Sequence, residues 1–455
     1  MCYGYDALNR IRHIRYGNGV ETAYTYDGDG NVRTLETRAG KTVLLSFAYR
    51  YDGNGNRTAK TGTQATLGGI ISGSNVLDIS YAYDVRGQLL EERRNGASVC
   101  YAYDKAENRI RKTDAQGEIR YLYNAKNQLI TEESPADRNQ FSYDRQGGII
   151  EEKNLAGIRL FSYNNRHQQT RVETETGNVQ ENRYDAEGLR FELLENGRRT
   201  SFVYHNGELL QEEGREEQGT SYHLGAGMEA FQRGQELSYY HRDEQLSTTF
   251  ITGGHGDVLN SYQYDAFGIP LDTTEQLNNR IRYTGQQYDD VTGQYYLRAR
   301  YYNPVAGRFM QEDVYQGDGL NLYAYCGNNP VVYDDPSGYK RKACPPQGKI
   351  SESVDESGSN TTRRQAFREA KEAAGIPKSA EYKTHKFVFD GTSENRIVYE
   401  FDVCGEKKYI IEHPFDKMGR GNHFHGADDT KGSPFSKGRY NQYPGHFPED
   451  FNGFN

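Results

Sequence analysis

The sequence predicts a mainly β chain, a long body of stacked hairpins followed by a small α+β domain at the C-terminus. Three observations predict it. A tyrosine-aspartate pair recurs about every twenty residues through the first two hundred positions, in a sequence rich in Gly and poor in aliphatics. The repeat then stops, after Thr292–Tyr339, and a helix-prone segment leads into a histidine-rich tail of different composition.

The repeat tyrosines are Tyr5, Tyr26, Tyr51, Tyr83, Tyr103, Tyr123, Tyr143, Tyr163, Tyr184 and Tyr204. Each is followed by Asp, or by the variants Asn124, Asn164 and His205. One unit, Tyr101–Arg120, shows the logic. Tyr101 and Tyr103 stand two apart and share one face of a strand, Asp104 and the polar residues after it make a turn, Arg109–Lys112 alternates again, and Gln116-Gly117 reverses the chain. Each repeat is therefore about one β-hairpin, and neighbours must pair or stack to bury the tyrosine face.

With 35% hydrophobic residues, 50 Gly and 38 Tyr in 455 residues, the core has to be built largely from tyrosine, whose hydroxyls need partners. Charge is divided unevenly: residues 340–455 hold 19 basic and 17 acidic residues, leaving 36 against 47 upstream. That acidic balance argues against the repeat body as a nucleic-acid platform. Cys2, Cys100, Cys326, Cys344 and Cys404 form no C-x-x-C pair and are expected as free thiols. No apolar run approaches the roughly 20 residues of a membrane span. The first residues lack the pattern of a signal peptide and lie within a repeat already in progress, so the chain reads as the C-terminal portion of something longer.

Y-x-Y-D-x-x-G-x-L, as in Tyr81–Leu90 and more loosely Asn182–Phe191, resembles the Rhs/YD-repeat family. Four further stretches, Tyr239–Thr252, Tyr262–Pro270, Arg282–Phe309 and Leu320–Tyr339, are similar in order to the Rhs repeat-associated core domain. The resemblance implies a spiral of hairpins forming a cocoon-like shell over residues 1–206 and a core domain over 207–339 that plugs one end. It also implies a cargo enclosed by the shell, with 340–362 as linker and 363–455 as a C-terminal toxin domain.

In this family the closing D-P-x-G-aliphatic motif resembles an aspartyl autoprotease that cuts just after it. The matching positions are Asp313 and Asp335, with Tyr339 last before the cut; Glu312, Val314 and Tyr339 stand where the family often has Arg, Pro and Leu. Two close carboxyls can share a proton, one polarising a carbonyl while the other activates water. Asp334, Glu312 and Asp318 are rival carboxylates, and Asp335-Pro336-Ser337-Gly338 also reads simply as a turn. Arg298, Arg300 and Arg308 read as packing and ion-pairing residues, one of which could support the pair.

Beyond Tyr339 the spacing predicts a helix over Arg363–Ala374 and strands at Lys386–Asp390, Ile397–Val403 and Lys407–His413. The last forty residues, Gly-, Asn- and aromatic-rich, are expected to lack a regular core. They carry Arg420, Asn422, His423, His425, Asp428 and His446, which with His413 put four of eleven histidines within 34 residues. Imidazoles with carboxylates suit a divalent transition metal. Imidazole with Arg420 on a phosphate would instead suit metal-free cleavage of RNA.

A strand-terminal His413 followed by a loop bearing Asn and His, together with Ala366–Pro377, resembles HNH/endonuclease VII-type toxin domains. That resemblance implies His413 as general base and His423 with His425 or His446 as ligands, with Asp428 a further candidate, for a divalent metal ion such as Mg or Zn. The function it implies is a secreted or cell-surface bacterial toxin whose nuclease acts on DNA or RNA in the cytoplasm of a competitor. Its expected partners are a cognate immunity protein and the rest of the parent Rhs protein or its secretion machinery. A deaminase would want His/Cys-x-x-Cys ligands and a pore former apolar helices, neither of which is encoded. The alternatives are a wall or adhesion protein with an inert cap, and a metal-independent ribonuclease toxin.

Overall fold

A computed structural model describes residues 1–67, 76–214, 218–314, 319, 321–343, 367, 370–371, 374, 376, 382–387, 396–403, 406–413, 423–428, 430, 433–435 and 441–442. The chain forms two compact units, Met1–Ser351 and Glu352–Asn455. The first is dominated by one antiparallel meander of 26 strands among the described residues, running from Cys2–Tyr5 to Pro270–Glu275, each strand paired to the next. It runs without a break through position 206, where Arg198–His205 pairs with Glu208–Glu213.

The Y-x-Y-D repeat solves two local problems in every hairpin. The first is the turn. Asp104 Oδ1 accepts the N–H of Ala106 at 2.8 Å and of Asn108 at 2.9 Å, and Asp6, Asp27, Asp52, Asp84, Asn124, Asp144 and Asn164 do the same for their own turns. The residue three after the Asp has φ between 60° and 93° from Asn9 through Gly188, which is why Gly or Asn recurs there.

The second problem is a register shift where each hairpin opens, as between Leu122 and Tyr123, opposite Thr131 and Leu129. The next repeat tyrosine donates its hydroxyl to the backbone carbonyl at that shift. Tyr26 reaches Ile11, Tyr51 Val32, Tyr83 Arg57, Tyr103 Leu89, Tyr123 Arg109, Tyr143 Leu129, Tyr163 Ile149 and Tyr184 Gln169, at 2.6–3.1 Å. The tyrosine face is thus buried with its polar ends satisfied.

The meander curls so that its first strands face strands 183–235 residues later. Asn18 donates to the Gly253 carbonyl, Lys60 to Asp243 and Gln64 to the Tyr262 carbonyl, at 2.8–3.0 Å. A second, four-stranded sheet, Gln287–Asp289, Gln294–Leu297, Arg300–Asn303 and Arg308–Phe309, packs against it. Arg190 and Asp289, both at 0% exposure, pair between the two sheets, and Tyr302 stacks on Tyr325 with ring centroids 3.9 Å apart.

Arg298, Arg308 and residues 321–328 then bind one rim of the meander at the YD turns themselves. Asn321 donates to the Ala106 carbonyl, Asn328 to Glu107, Arg308 to Asn127, the Tyr323 hydroxyl to Gly147 and Arg298 to Gly207, at 2.7–3.0 Å. One segment is therefore fastened to successive repeats through backbone groups that every turn offers.

The second unit is a five-stranded antiparallel sheet, Tyr382–Phe387, Arg396–Val403, Glu406–His413, His423–Asp428 and Asn441–Gln442, in chain order. Of the expected helix, Phe367, Ala370 and Lys371 are helical and most of the remainder lies outside the described residues. Phe367 and Ala370 pack on Tyr399, Phe401, Ile410 and Phe424, while Val398, Tyr409, Ile411 and Ala427 gather with Phe435 on the other side. The strand expected at Lys386–Asp390 is instead Tyr382–Phe387, and 388–390 lie outside the described residues. The expectation of an irregular tail is corrected by His423–Asp428, a strand whose Phe424 and Ala427 are fully buried.

Tyr123→Phe leaves the Arg109 carbonyl without its donor and is expected to lower stability by about 1–2 kcal/mol. The same change at exposed Tyr5 should stay within about 0.5 kcal/mol. Urea unfolding followed by tyrosine fluorescence, unobscured because the chain has no Trp, compares the two.

Candidate functional site

The D-P-S-G motif forms a tight turn bound by the hairpin Gln294–Asn303. Asp335 Oδ1 accepts the N–H of Gly338 at 2.8 Å, of Ser337 at 3.3 Å and of Lys340 at 3.2 Å. The Ala299 N–H donates to the Ser337 carbonyl at 3.2 Å, and Arg298 donates to the Pro336 carbonyl. Gly338 has φ +73°, and a Cβ there would meet the Leu297 carbonyl oxygen at 2.4 Å, so no larger residue fits.

Arg300 ties this turn to the first aspartate. Its Nη2 stands 2.7 Å from Asp313 Oδ2 and 3.6 Å from Asp335 Oδ2, its Nη1 donates to the Leu322 carbonyl at 3.0 Å, and its Nε donates to the Gly338 carbonyl. The guanidinium lies over the Phe309 ring at 3.5 Å. All three charged groups are buried, Asp335 to 2% exposure.

Burial pushes the Asp335 carboxyl above the ordinary Asp range, against the lowering pull of Arg300. The neighbouring Asp334 is pushed up to about 7, first by burial and then by the charge of Asp335, with Lys342 opposing. Of the other rivals, Glu312 is turned to the Tyr323 hydroxyl at 3.2 Å, and Asp318 lies outside the described residues. The sequence offers Arg298, Arg300 and Arg308 alike as packing and ion-pairing residues, one of which could support the pair; the R-A-R-Y-Y spacing gives no hint that Arg300 is the one that meets both aspartates.

In the second unit the register sets His413 opposite His423 and Ile411 opposite His425. Three of the candidate residues therefore share one edge of a strand pair. His423 and His425 belong to a strand, which corrects the expected loop. His425 is buried at 1% exposure, in a cross-strand row with Ile411, Val398 and His385. Asp428 stands three positions from His425, a spacing that puts residues on opposite faces, and accepts the Thr430 N–H at 2.9 Å.

Arg420, Asn422 and His446 lie outside the described residues. Among the described residues no three metal-ligating side chains converge. Glu412, beside His413, accepts the Tyr399 hydroxyl at 2.6 Å.

Arg300→Met would leave two buried carboxyl groups, Asp313 and Asp335, without the cation they share. The Met1–Ser351 unit is expected to lose about 3–5 kcal/mol, read as a lower urea midpoint.

Residues 69–331 match the Teneurin YD-shell model, residues 5–43 the RHS Repeat model, and residues 387–449 the model of HNH/Endo VII superfamily nuclease toxins. The tRNA3(Ser)-specific nuclease WapA of Bacillus spizizenii is 39% identical over 176 residues, covering 34% of this chain and 7% of that protein. The tRNA nuclease WapA of Bacillus subtilis (strain 168) is 31% identical over 351 residues, covering 74% of this chain and 12% of that protein. The chain thus spans only a small part of these relatives. The Photorhabdus luminescens Tc holotoxin pore aligns at 18% identity and TM-score 0.39, over 75% of this chain and 21% of that one. With the shell model matched over more than half of its length, the chain belongs to the Teneurin YD-shell family, in its Rhs-repeat form.

Proposed function

We propose that this chain is part of a bacterial Rhs toxin, whose shell carries a nuclease and frees it from the covalent chain by cutting itself after Tyr339. One pairing supports the reading above all: a nuclease-toxin match at 387–449 lies downstream of a turn in which a buried carboxylate already touches the Lys340 amide. In the cut, Asp335 protonates the departing Lys340 nitrogen, and Asp313 activates the attacking water. Arg300 holds both carboxylates and polarises the peptide that precedes Tyr339. Core and shell correspond to 207–339 and 1–206, and 363–455 is the toxin domain behind a 340–362 linker.

The freed domain hydrolyses nucleic acid in the cytoplasm of a competitor cell. His413 acts as general base, Arg420 and Asn422 bind phosphate, and His423, His425 and His446 are the residues that would hold a divalent ion. Bound there, the ion would stabilise charge on the leaving oxygen. Asp428, on the opposite face from His425, would enter such a set only through the chain that follows it. A separately encoded immunity protein covers this histidine edge, and the parent protein's remainder supplies export.

Purified chain is expected to run on a denaturing gel as fragments of about 339 and 116 residues, the division Tyr339 makes of 455. Asp335→Asn and Asp313→Asn should each leave it whole; an equally cut Asp335→Asn protein would exclude this centre. Expressed in bacteria without an immunity partner, the chain should arrest growth and degrade RNA or DNA. His413→Ala should reduce that activity by about 100-fold or more. Activity that survives a chelator would exclude the metal and leave the metal-independent ribonuclease.

A further inference from the structure

The residues on either side of the cut are held together by more than the bond that breaks. Tyr333 and Asp334 pair antiparallel with Lys342 and Ala343, Tyr333 opposite Ala343 and Asp334 opposite Lys342. The Tyr339–Lys340 bond therefore lies in the loop of a short hairpin, one strand upstream of the cut and one downstream. The Arg341 guanidinium lies 5.3 Å from the centre of the Tyr333 ring, again across the cut. The compact unit itself divides from its neighbour at Ser351, not at Tyr339.

We infer that the shell carries a docking site for the N-terminus its own cut creates, a basic segment headed by a free ammonium. After hydrolysis the Lys340 ammonium pairs with Asp335, Lys342–Ala343 remains paired with Tyr333–Asp334, and the fragment stays seated. The inference rests on the cut falling after Tyr339.

The chemistry follows from the hydrolysis. One water is consumed: its oxygen joins the Tyr339 carbonyl carbon, the C–N bond breaks, and the Lys340 nitrogen leaves as an amine that takes up a proton near neutral pH. An α-amino group ordinarily titrates at about 7.7–8.0, and a carboxylate alongside favours its charged form. In the intact chain that nitrogen already stands 3.2 Å from Asp335 Oδ1, so the ion pair needs no rearrangement. Asp335 is nearly inaccessible to solvent, where such a pair is screened little. The same carboxylate thus serves the bond before the cut and its product after it.

The test uses the whole purified chain. A denaturing gel first reports the cut. The native protein is then exposed briefly to an amine-acylating reagent near pH 7, and the label on the Lys340 α-amine is compared by mass spectrometry with that in urea. Docking predicts two fragments, acylation of that amine slowed roughly tenfold or more in the native state, and slowed hydrogen exchange at Lys342 and Ala343. Arg341→Ala, which removes the contact with Tyr333, should bring the rate toward that in urea. Two fragments with a Lys340 amine labelled at the urea rate and unprotected amides would overturn the docking site while leaving the cut in place. A single uncut band would overturn both, and the gel alone distinguishes that case.

Discussion

The aspartate of each YD turn is the constraint on which the first unit depends. A hairpin turn leaves backbone N–H groups pointing inward with no strand to receive them. One carboxylate or amide oxygen takes two of them, and a left-handed residue three positions on completes the reversal. Because the same solution repeats about every twenty residues, the turns line up with equivalent carbonyls facing outward. Arg298, Arg308, Tyr323 and Asn328 exploit that regularity, contacting the turns at Glu107, Asn127, Gly147 and Gly207. The rim that receives the core segment is a by-product of how each hairpin is closed.

Charge is buried here in a way that ties structure to chemistry. Arg190 with Asp289, Arg280 with Glu212, and Arg57 with Glu244 are ion pairs almost wholly removed from water. Such pairs add little net stability against an apolar substitute, but each demands its partner in place. Arg300 extends the same device to Asp313 and Asp335. Reading D-P-S-G as a turn and reading it as a reactive centre are therefore not rivals. The carboxylate that closes the turn is the one that reaches the Lys340 amide.

Much of this architecture was legible in the residues. The period gave one hairpin per repeat, tyrosine abundance gave a core whose repeat hydroxyls find partners, and the change of composition beyond Tyr339 pointed to a separate C-terminal unit, which begins at Glu352. What period and composition could not reveal was where each hydroxyl goes, because the acceptor is a backbone carbonyl with no side-chain signature. Asp313 and Asp335 were named only through the family resemblance, and that Arg300 is the cation between them was hidden, since positions so far apart share no periodic signature. In the C-terminal unit, the Gly and His of His423–Asp428 mask an ordinary strand whose Phe424 and Ala427 sit in the sheet's two opposite cores. Tertiary packing, not propensity, makes it a strand.

The tyrosine hydroxyls have one further property: every one of the eight points back toward the N-terminus, to a carbonyl already made when that tyrosine is added. None waits for sequence still to come. These eight bonds can thus be made in the order of synthesis, each emerging hairpin finishing the one before it. Each new strand is added at the newest edge of the sheet, and the residues that fasten the rim follow in the chain the turns they bind.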